Sequence, residues 1–290
     1  EANEIDRGIE AGERVLKEYP AAIFDLKVKY ALAFFYEKTA NFEKSAAMYE
    51  DFIATYDAAA GAKAINIDNL KDLLKKEKEQ KEKEAKANKG KPAKGSKPPA
   101  KVAGKAPPPP KPTAEKLKER EAQVKEAEGH VADSQFNAGL WWEGVGKSEK
   151  AIAAYNRYIA RFKDKEDVPK IAYNLALIYE KDKKLADALK VFETFLVTYS
   201  KDKRVNDVLR MEARYKQFLH HRTLKNGSEM DKLAKEIIAA YPKLNAEEKK
   251  NDRAMAAFAH ARFYLLEPMW KAYTDIKFNK LATLKNDLIA

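Results

Sequence analysis

The chain has 290 residues, 45% of them apolar and 35% charged, with a formal net charge of +11. It can bury an extended core under an ion-dense surface, but no apolar run approaches the roughly eighteen residues that cross a bilayer. The absence of cysteine excludes disulfides and thiolate metal sites without fixing the compartment. An opening on Glu1 with no apolar leader fits a processed protein and an excised fragment alike.

Along the chain one phrase returns five times. A small or apolar residue is followed, after four, seven, eight and eleven positions, by an aromatic or small residue, an apolar pair, and an aromatic with a terminator behind it. The first copy is Gly8, Gly12, Val15-Leu16 and Tyr19-Pro20. The second is Ser45, Tyr49, Phe52-Ile53 and Tyr56-Asp57, and the third is Ala151, Tyr155, Tyr158-Ile159 and Phe162-Lys163. The fourth is Ala188, Phe192, Phe195-Leu196 and Tyr199-Ser200, and the fifth is Met230, Ala234, Ile237-Ile238 and Tyr241-Pro242. These steps place every marked side chain on one face of an α-helix. A lone helix cannot bury such a stripe, whereas stacked copies can, so the phrase predicts a helical array.

In front of three copies stands a second helical pattern: Leu32-Ala33 with Tyr36, Ala138-Gly139 with Trp142, and Leu175-Ala176 with Tyr179. From its aromatic to the small residue of the next helix is nine positions each time: Tyr36 to Ser45, Trp142 to Ala151, Tyr179 to Ala188. Small residues at both places let two backbones approach closely while the aromatics fill the space beside them. Trp142 falls in the core by register, and Trp141 is left for a neighbouring helix or a partner.

Pro20 to Asp57 and Lys163 to Ser200 are equal steps of 37, Ser200 to Pro242 is 42, and the gap of 106 between Asp57 and Lys163 holds an insert. From Lys75 the sequence turns rich in lysine, alanine, glycine and proline, with eight of the twelve prolines in this stretch. It carries little to bury and cannot propagate a helix, so disorder with polyproline II bias is expected over 75–112. Residues 75–120 hold fifteen lysines and Arg120 against six glutamates, a surplus of ten, so the rest of the chain is close to neutral. The segment reads as a solvated spacer, as an electrostatic tether to an anionic surface, or as a proline ligand for an aromatic-lined partner. Nucleic acid is disfavoured as a partner of the repeats themselves, which have no basic excess.

Leu70 to Leu74 reads as a helix end and Thr113 to Val131 as a helix start with a capping residue. Met255 to Leu266 reads as a further amphipathic helix that Pro268 stops or kinks, and a last helix around Ile276 to Leu288 is expected to cap the array. The resulting division is 1–74 for the first repeats, 75–112 for the linker, 113–245 for further repeats and 246–290 for capping helices. No phosphate-binding glycine loop, metalloprotease helix or nucleophile elbow occurs, so no enzyme, cofactor or metal site is expected. The adjacent His220 and His221 point about 100° apart on a helix and make a poor chelate.

The paired phrase resembles the tetratricopeptide repeat family over roughly 1–60 and 130–245. Gly8 and Gly12 depart from its pattern, and His221 stands where the fourth repeat has its aromatic. The resemblance implies an all-α, right-handed superhelical stack of helix-turn-helix repeats interrupted by the insert. It further implies a concave groove lined by the first helix of each pair, holding other proteins or extended peptides. Counted from the motif aromatic, the groove positions are Tyr30, Phe136 and Tyr173 six before it, Asn137 and Asn174 five before it, and Phe34, Leu140 and Leu177 two before it. Glu37, Glu143 and Glu180 follow it directly, a column of negative charge that favours a cationic or extended peptide. The first repeat has Ala31 in place of an asparagine, so the amide pair is incomplete. Likeness of the phrase and spacer to bacterial envelope proteins implies a non-enzymatic scaffold in the periplasm or cell envelope. The alternatives are a cytoplasmic adaptor or co-chaperone, and a polyanion-binding protein acting through the linker.

Overall fold

The computed structural model describes residues 2–19, 25–61, 79 and 113–276, and every regular element among them is a helix. In chain order these are α1 (Ala2–Glu18), α2 (Asp25–Lys38), α3 (described over 42–61), α4 (Thr113–Gly144), α5 (Ser148–Arg161), α6 (Val168–Lys181), α7 (Leu185–Thr198), α8 (Asp207–Thr223), α9 (Gly227–Ala240), α10 (Ala246–Lys249) and α11 (Asp252–Thr274). A short 3-10 turn over Tyr241–Lys243 follows α9, where the phrase has its last terminator. The chain divides into two compact units, Glu1–Ala154 and Tyr155–Ala290, and the division falls inside α5. Apart from Glu79, the lysine- and proline-rich segment 75–112 lies outside the described residues, as does the expected closing helix beyond Ile276.

The recurring phrase supplies the core in its later copies, whereas in the first copy Val15 and Leu16 are half-buried and Tyr19 is 59% exposed. Ser45, Tyr49 and Phe52 are buried in the first unit, and Phe192, Phe195, Ala234 and Ile237 in the second. Ala151 and Ala188, the small residues that open two of the copies, have no solvent exposure. Close approach at these points is direct: the Ser45 hydroxyl donates to the Ala33 carbonyl at 2.9 Å, joining the small positions of α3 and α2. Each buried ring of this kind stabilises the fold by about 2–3 kcal/mol through apolar transfer alone.

In the second unit α6 packs on α7 and α8 on α9, α7 meets α8, and α11 lies across α8 and α9. In the first, α1 packs on α2. Gly8 and Gly12, departures from the family pattern, have a steric reason: an added Cβ would sit 2.8 Å from the Phe35 ring or 2.7 Å from a Leu32 methyl. The glycines are the small residues of this helix crossing.

Four first helices end in one turn. Ala40, Gly146, Lys183 and Lys225 each stand four residues after the motif aromatic, or after His221, and each has φ between +56° and +76°. Around Ala40, its own N–H donates to the Glu37 carbonyl at 3.0 Å and the next N–H, of Asn41, to Tyr36 at 2.8 Å. The same two bonds recur at 146–147, 182–184 and 224–226, where Lys147, Lys184 and Asn226 donate to Trp142, Tyr179 and His221 at 2.8–2.9 Å. This is the Schellman arrangement, which satisfies the last carbonyls of a helix and reverses the chain. Its recurrence places His221 in register with the three aromatics.

The helices differ from the sequence reading at three points. α4 is one helix of 32 residues, because no breaker separates Val131 from the motif at Ala138. α3 runs past Asp57 at least to Gly61, carried by the strong helix formers Ala58, Ala59 and Ala60. α11 does not stop at Pro268 but continues to Thr274. A proline there forfeits one backbone hydrogen bond without ending the helix.

Candidate partner-binding face

The positions read as a groove lie on α2, α4 and α6. On α2, Tyr30 is half-buried: its ring stacks on His130 of α4 at 4.2 Å and tilts against Phe52 at 5.6 Å and Tyr49 at 6.2 Å. Burial, and then the Asp133 and Glu37 carboxylates, raise its phenol pKa. Phe34, by contrast, is 41% exposed, with the Lys38 ammonium 4.9 Å above its ring.

Asn137 on α4 is half-buried and engaged within the fold, its amide bonded to the Tyr49 oxygen. Tyr49 in turn donates to Glu37 at 3.2 Å, so a polar chain links α4, α3 and α2. Burial is the main cause that lifts the Tyr49 pKa above its ordinary value, the Asn137 bond pulls it down, and Glu37 adds to the rise. Phe136 and Glu143 are half-buried, and Leu140 is 37% exposed. Trp141 stacks on Phe42 at 4.4 Å, so it serves a neighbouring helix, and Trp142 is buried with the Lys150 ammonium 3.9 Å from its ring.

On α6, Tyr173 is buried against Phe192 and Phe195 at 5.5 and 5.6 Å. Burial, and the Glu212 carboxylate beside it, hold its phenol well above the usual range. Glu212 pairs with Arg253 of α11 at 3.0 Å. Asn174 and Leu177 are half-buried. Glu180 takes Lys216 of α8 at 2.9 Å and leaves its other oxygen 3.9 Å from Nε2 of the buried His220. Burial lowers the His220 pKa, the nearby Glu180 opposing this only in part.

In three repeats the aromatic six positions before the motif residue contacts the next first helix. Tyr30 meets His130, Tyr173 meets Glu212, and Tyr215, at the same place relative to His221, shares a hydrogen bond and a ring contact with His260. These rings are spent on packing. The positions two before the motif residue are the outward ones, with Phe34 and Leu140 exposed and Leu177 half-covered. The sequence reading passed over Tyr215, Lys216, Glu212 and Arg253. The same count taken from His221 reaches the first two, but Glu212 and Arg253 have no counterpart in the motif.

Within each unit, these helices therefore present apolar side chains beside carboxylates and ammonium groups that already have partners. Among the described residues no group of three or more histidines and carboxylates is placed to hold a metal ion, and no helix is long and apolar enough to cross a membrane. In comparisons with protein-family models and with curated proteins, the chain matches none.

Proposed function

We propose that the chain is a non-catalytic scaffold of the tetratricopeptide type, a right-handed superhelical stack that holds protein or extended-peptide partners on its first-helix face. The carrying observation is recurrence: one Schellman turn and one small-residue pair position each first helix, so that Phe34 and Leu140 protrude at the same place in two repeats. Exposed apolar side chains at a repeated spacing suit a partner that runs along the helices, its alternate residues meeting successive sites. The carboxylates of Glu37, Glu143 and Glu180 beside them favour a partner with cationic side chains.

In this reading the lysine- and proline-rich segment is a disordered spacer, and the chain works in a bacterial envelope assembly for motility, secretion or outer-membrane construction. The envelope placement rests on the resemblance of the repeat phrase and spacer. A second reading has its own observation: ten of the eleven net positive charges lie in 75–120, which suits an anionic surface.

Selection from a display library of random extended peptides tests both. A peptide bound in the groove loses at least tenfold in affinity with Phe34→Asp/Leu140→Asp and is indifferent to deletion of 75–112. Binding that survives the double substitution but vanishes with the deletion, and falls steeply with salt, gives the function to the basic segment.

A further inference from the structure

Two cavities in the second unit are the same place in successive repeats. One, of about 400 Å³, lies between α5 and α7 over α6, and the other, of about 380 Å³, between α7 and α9 over α8. The repeat steps are 37 residues on α5 and 42 on α6 and α7, and they carry eight lining positions of the first cavity onto lining positions of the second. Four keep their character: Ile159 becomes Leu196, Val191 becomes Leu233, Asp187 becomes Glu229, and Lys190 stays lysine at Lys232. The other four gain polarity or charge: Leu175 becomes Gln217, Tyr179 becomes His221, Asn156 becomes Glu193, and Thr194 becomes Glu236. The first cavity is thus balanced, with one carboxylate and one ammonium, while the second sets three carboxylates against one ammonium.

The sibling cavity shows that the repeat packs without these polar groups, and the fold leaves several of them unsatisfied. Nδ1 of His221 is buried without a hydrogen-bond partner. Gln217 is only 9% exposed, lines the cavity, and its side chain makes no hydrogen bond among the described residues. Glu193 has no ion-pair partner among them either, whereas Glu229 takes Lys232 at 3.5 Å and Glu236 takes Arg214 at 3.3 Å. Buried polar groups without partners cost stability, and a cavity where they converge between apolar walls is shaped for a ligand that pairs with them. These groups are not placed to hold a metal ion.

We propose that the cavity between α7 and α9 binds an alkylguanidinium group, the chemistry of an arginine side chain or a free alkylguanidine. The Gln217 carbonyl, His221 Nδ1 and the Glu193 carboxylate are separate acceptors around it, and the negative surplus selects a cation. A planar guanidinium offers five donors in fixed directions where an ammonium offers three, and it sheds water more easily. Its methylene stem suits the apolar walls formed by Leu189, Leu196 and Leu233. The site is independent of the first-helix face, because none of the residues assigned to that face lines either cavity.

Heteronuclear NMR titration of the full chain with butylguanidinium tests the site. Saturable shifts are expected at the Gln217 side-chain amide and at the backbone amides of Glu193 and Leu233, with butylammonium binding at least fivefold more weakly. Gln217→Leu/His221→Tyr installs the residues that the sibling cavity already accommodates, and is expected to lower the affinity at least tenfold. Glu193→Asn, at an exposed position, is expected to lower it at least threefold and serves should the double variant unfold. Nα-acetylarginine methylamide separates the two sources: binding at least fivefold tighter than butylguanidinium assigns the site to an arginine of a polypeptide, and a smaller difference to a free alkylguanidine. No saturable shift with either guanidinium overturns the proposal. So do equal binding of butylammonium, shifts confined to Asp187 and Lys190 of the sibling cavity, or substituted chains that bind like the parent.

Discussion

Arg120 of α4 donates to the Asp25 carboxylate in the first turn of α2, joining positions ninety-five residues apart and on opposite sides of the lysine-rich segment. Asp25 also takes the backbone N–H of Leu26 at 2.7 Å and keeps only 11% of its side chain exposed. Removing the guanidinium leaves a nearly buried carboxylate short of a partner. Arg120→Ala is expected to cost about 1–3 kcal/mol in urea unfolding, and Arg120→Lys less. A cost under about 0.3 kcal/mol would mean that the pair does not hold α2 to α4.

The repeated turn gives an unusual stability prediction. Ala40, Lys183 and Lys225 occupy a left-handed conformation that only glycine adopts without penalty. Each of Ala40→Gly, Lys183→Gly and Lys225→Gly is expected to stabilise the chain by about 0.5–1 kcal/mol, although glycine substitution usually destabilises. Gly146→Ala, at the same place in the second repeat, should cost about 1 kcal/mol. Thermal melts of the four variants decide the point.

At Gly12 two effects oppose each other. Alanine gains about 1 kcal/mol of helix propensity over glycine, yet its methyl would collide with Leu32. Overpacking of this kind costs about 1–3 kcal/mol, so Gly12→Ala is expected to be net destabilising, and Leu32→Ala should relieve part of that clash in the double variant. A Gly12→Ala chain more stable than the parent would refute the close crossing of α1 and α2.

Hydrogen bonds from the Arg204 side chain and backbone hold the Asp202 carboxyl down at about 2, against an ordinary value of 3.8. Arg204 also donates to the carbonyls of Lys163 and Lys165 at 2.9 and 2.7 Å, tying two inter-repeat loops together. A pKa lowered by folding contributes stability that is complete above the unfolded value and lost as pH falls through the folded one. The melting-temperature gap between the parent and Asp202→Asn is therefore expected at pH 6 and closed near pH 2. An equal gap at both would show that the carboxylate's charge plays no part.

The phrase itself was legible because close helix contact tolerates only small side chains at Ala33, Ser45, Ala151 and Ala188, and large rings must fill the space beside them. The turns were not legible. Three of the four left-handed positions hold alanine or lysine, so no glycine marks them. Of the two outcomes read at Pro268, a stop or a kink, the stop does not occur, since α11 runs on to Thr274. At the face, spacing located the right helices but could not separate Tyr30 and Tyr173, drawn into the packing by His130, Phe192 and Phe195, from Phe34 and Leu140, which protrude. That difference depends on what the neighbouring helix offers, which the motif does not encode.

A photo-crosslinking amino acid placed in turn at Phe34, Leu140 and the still more accessible Val197 of α7 tests the scaffold reading most directly. With a peptide selected for binding, crosslinks from positions 34 and 140 and none from 197 are expected. Crosslinks from position 197 alone, or undiminished binding with none from 34 and 140, would contradict a partner held on the first-helix face.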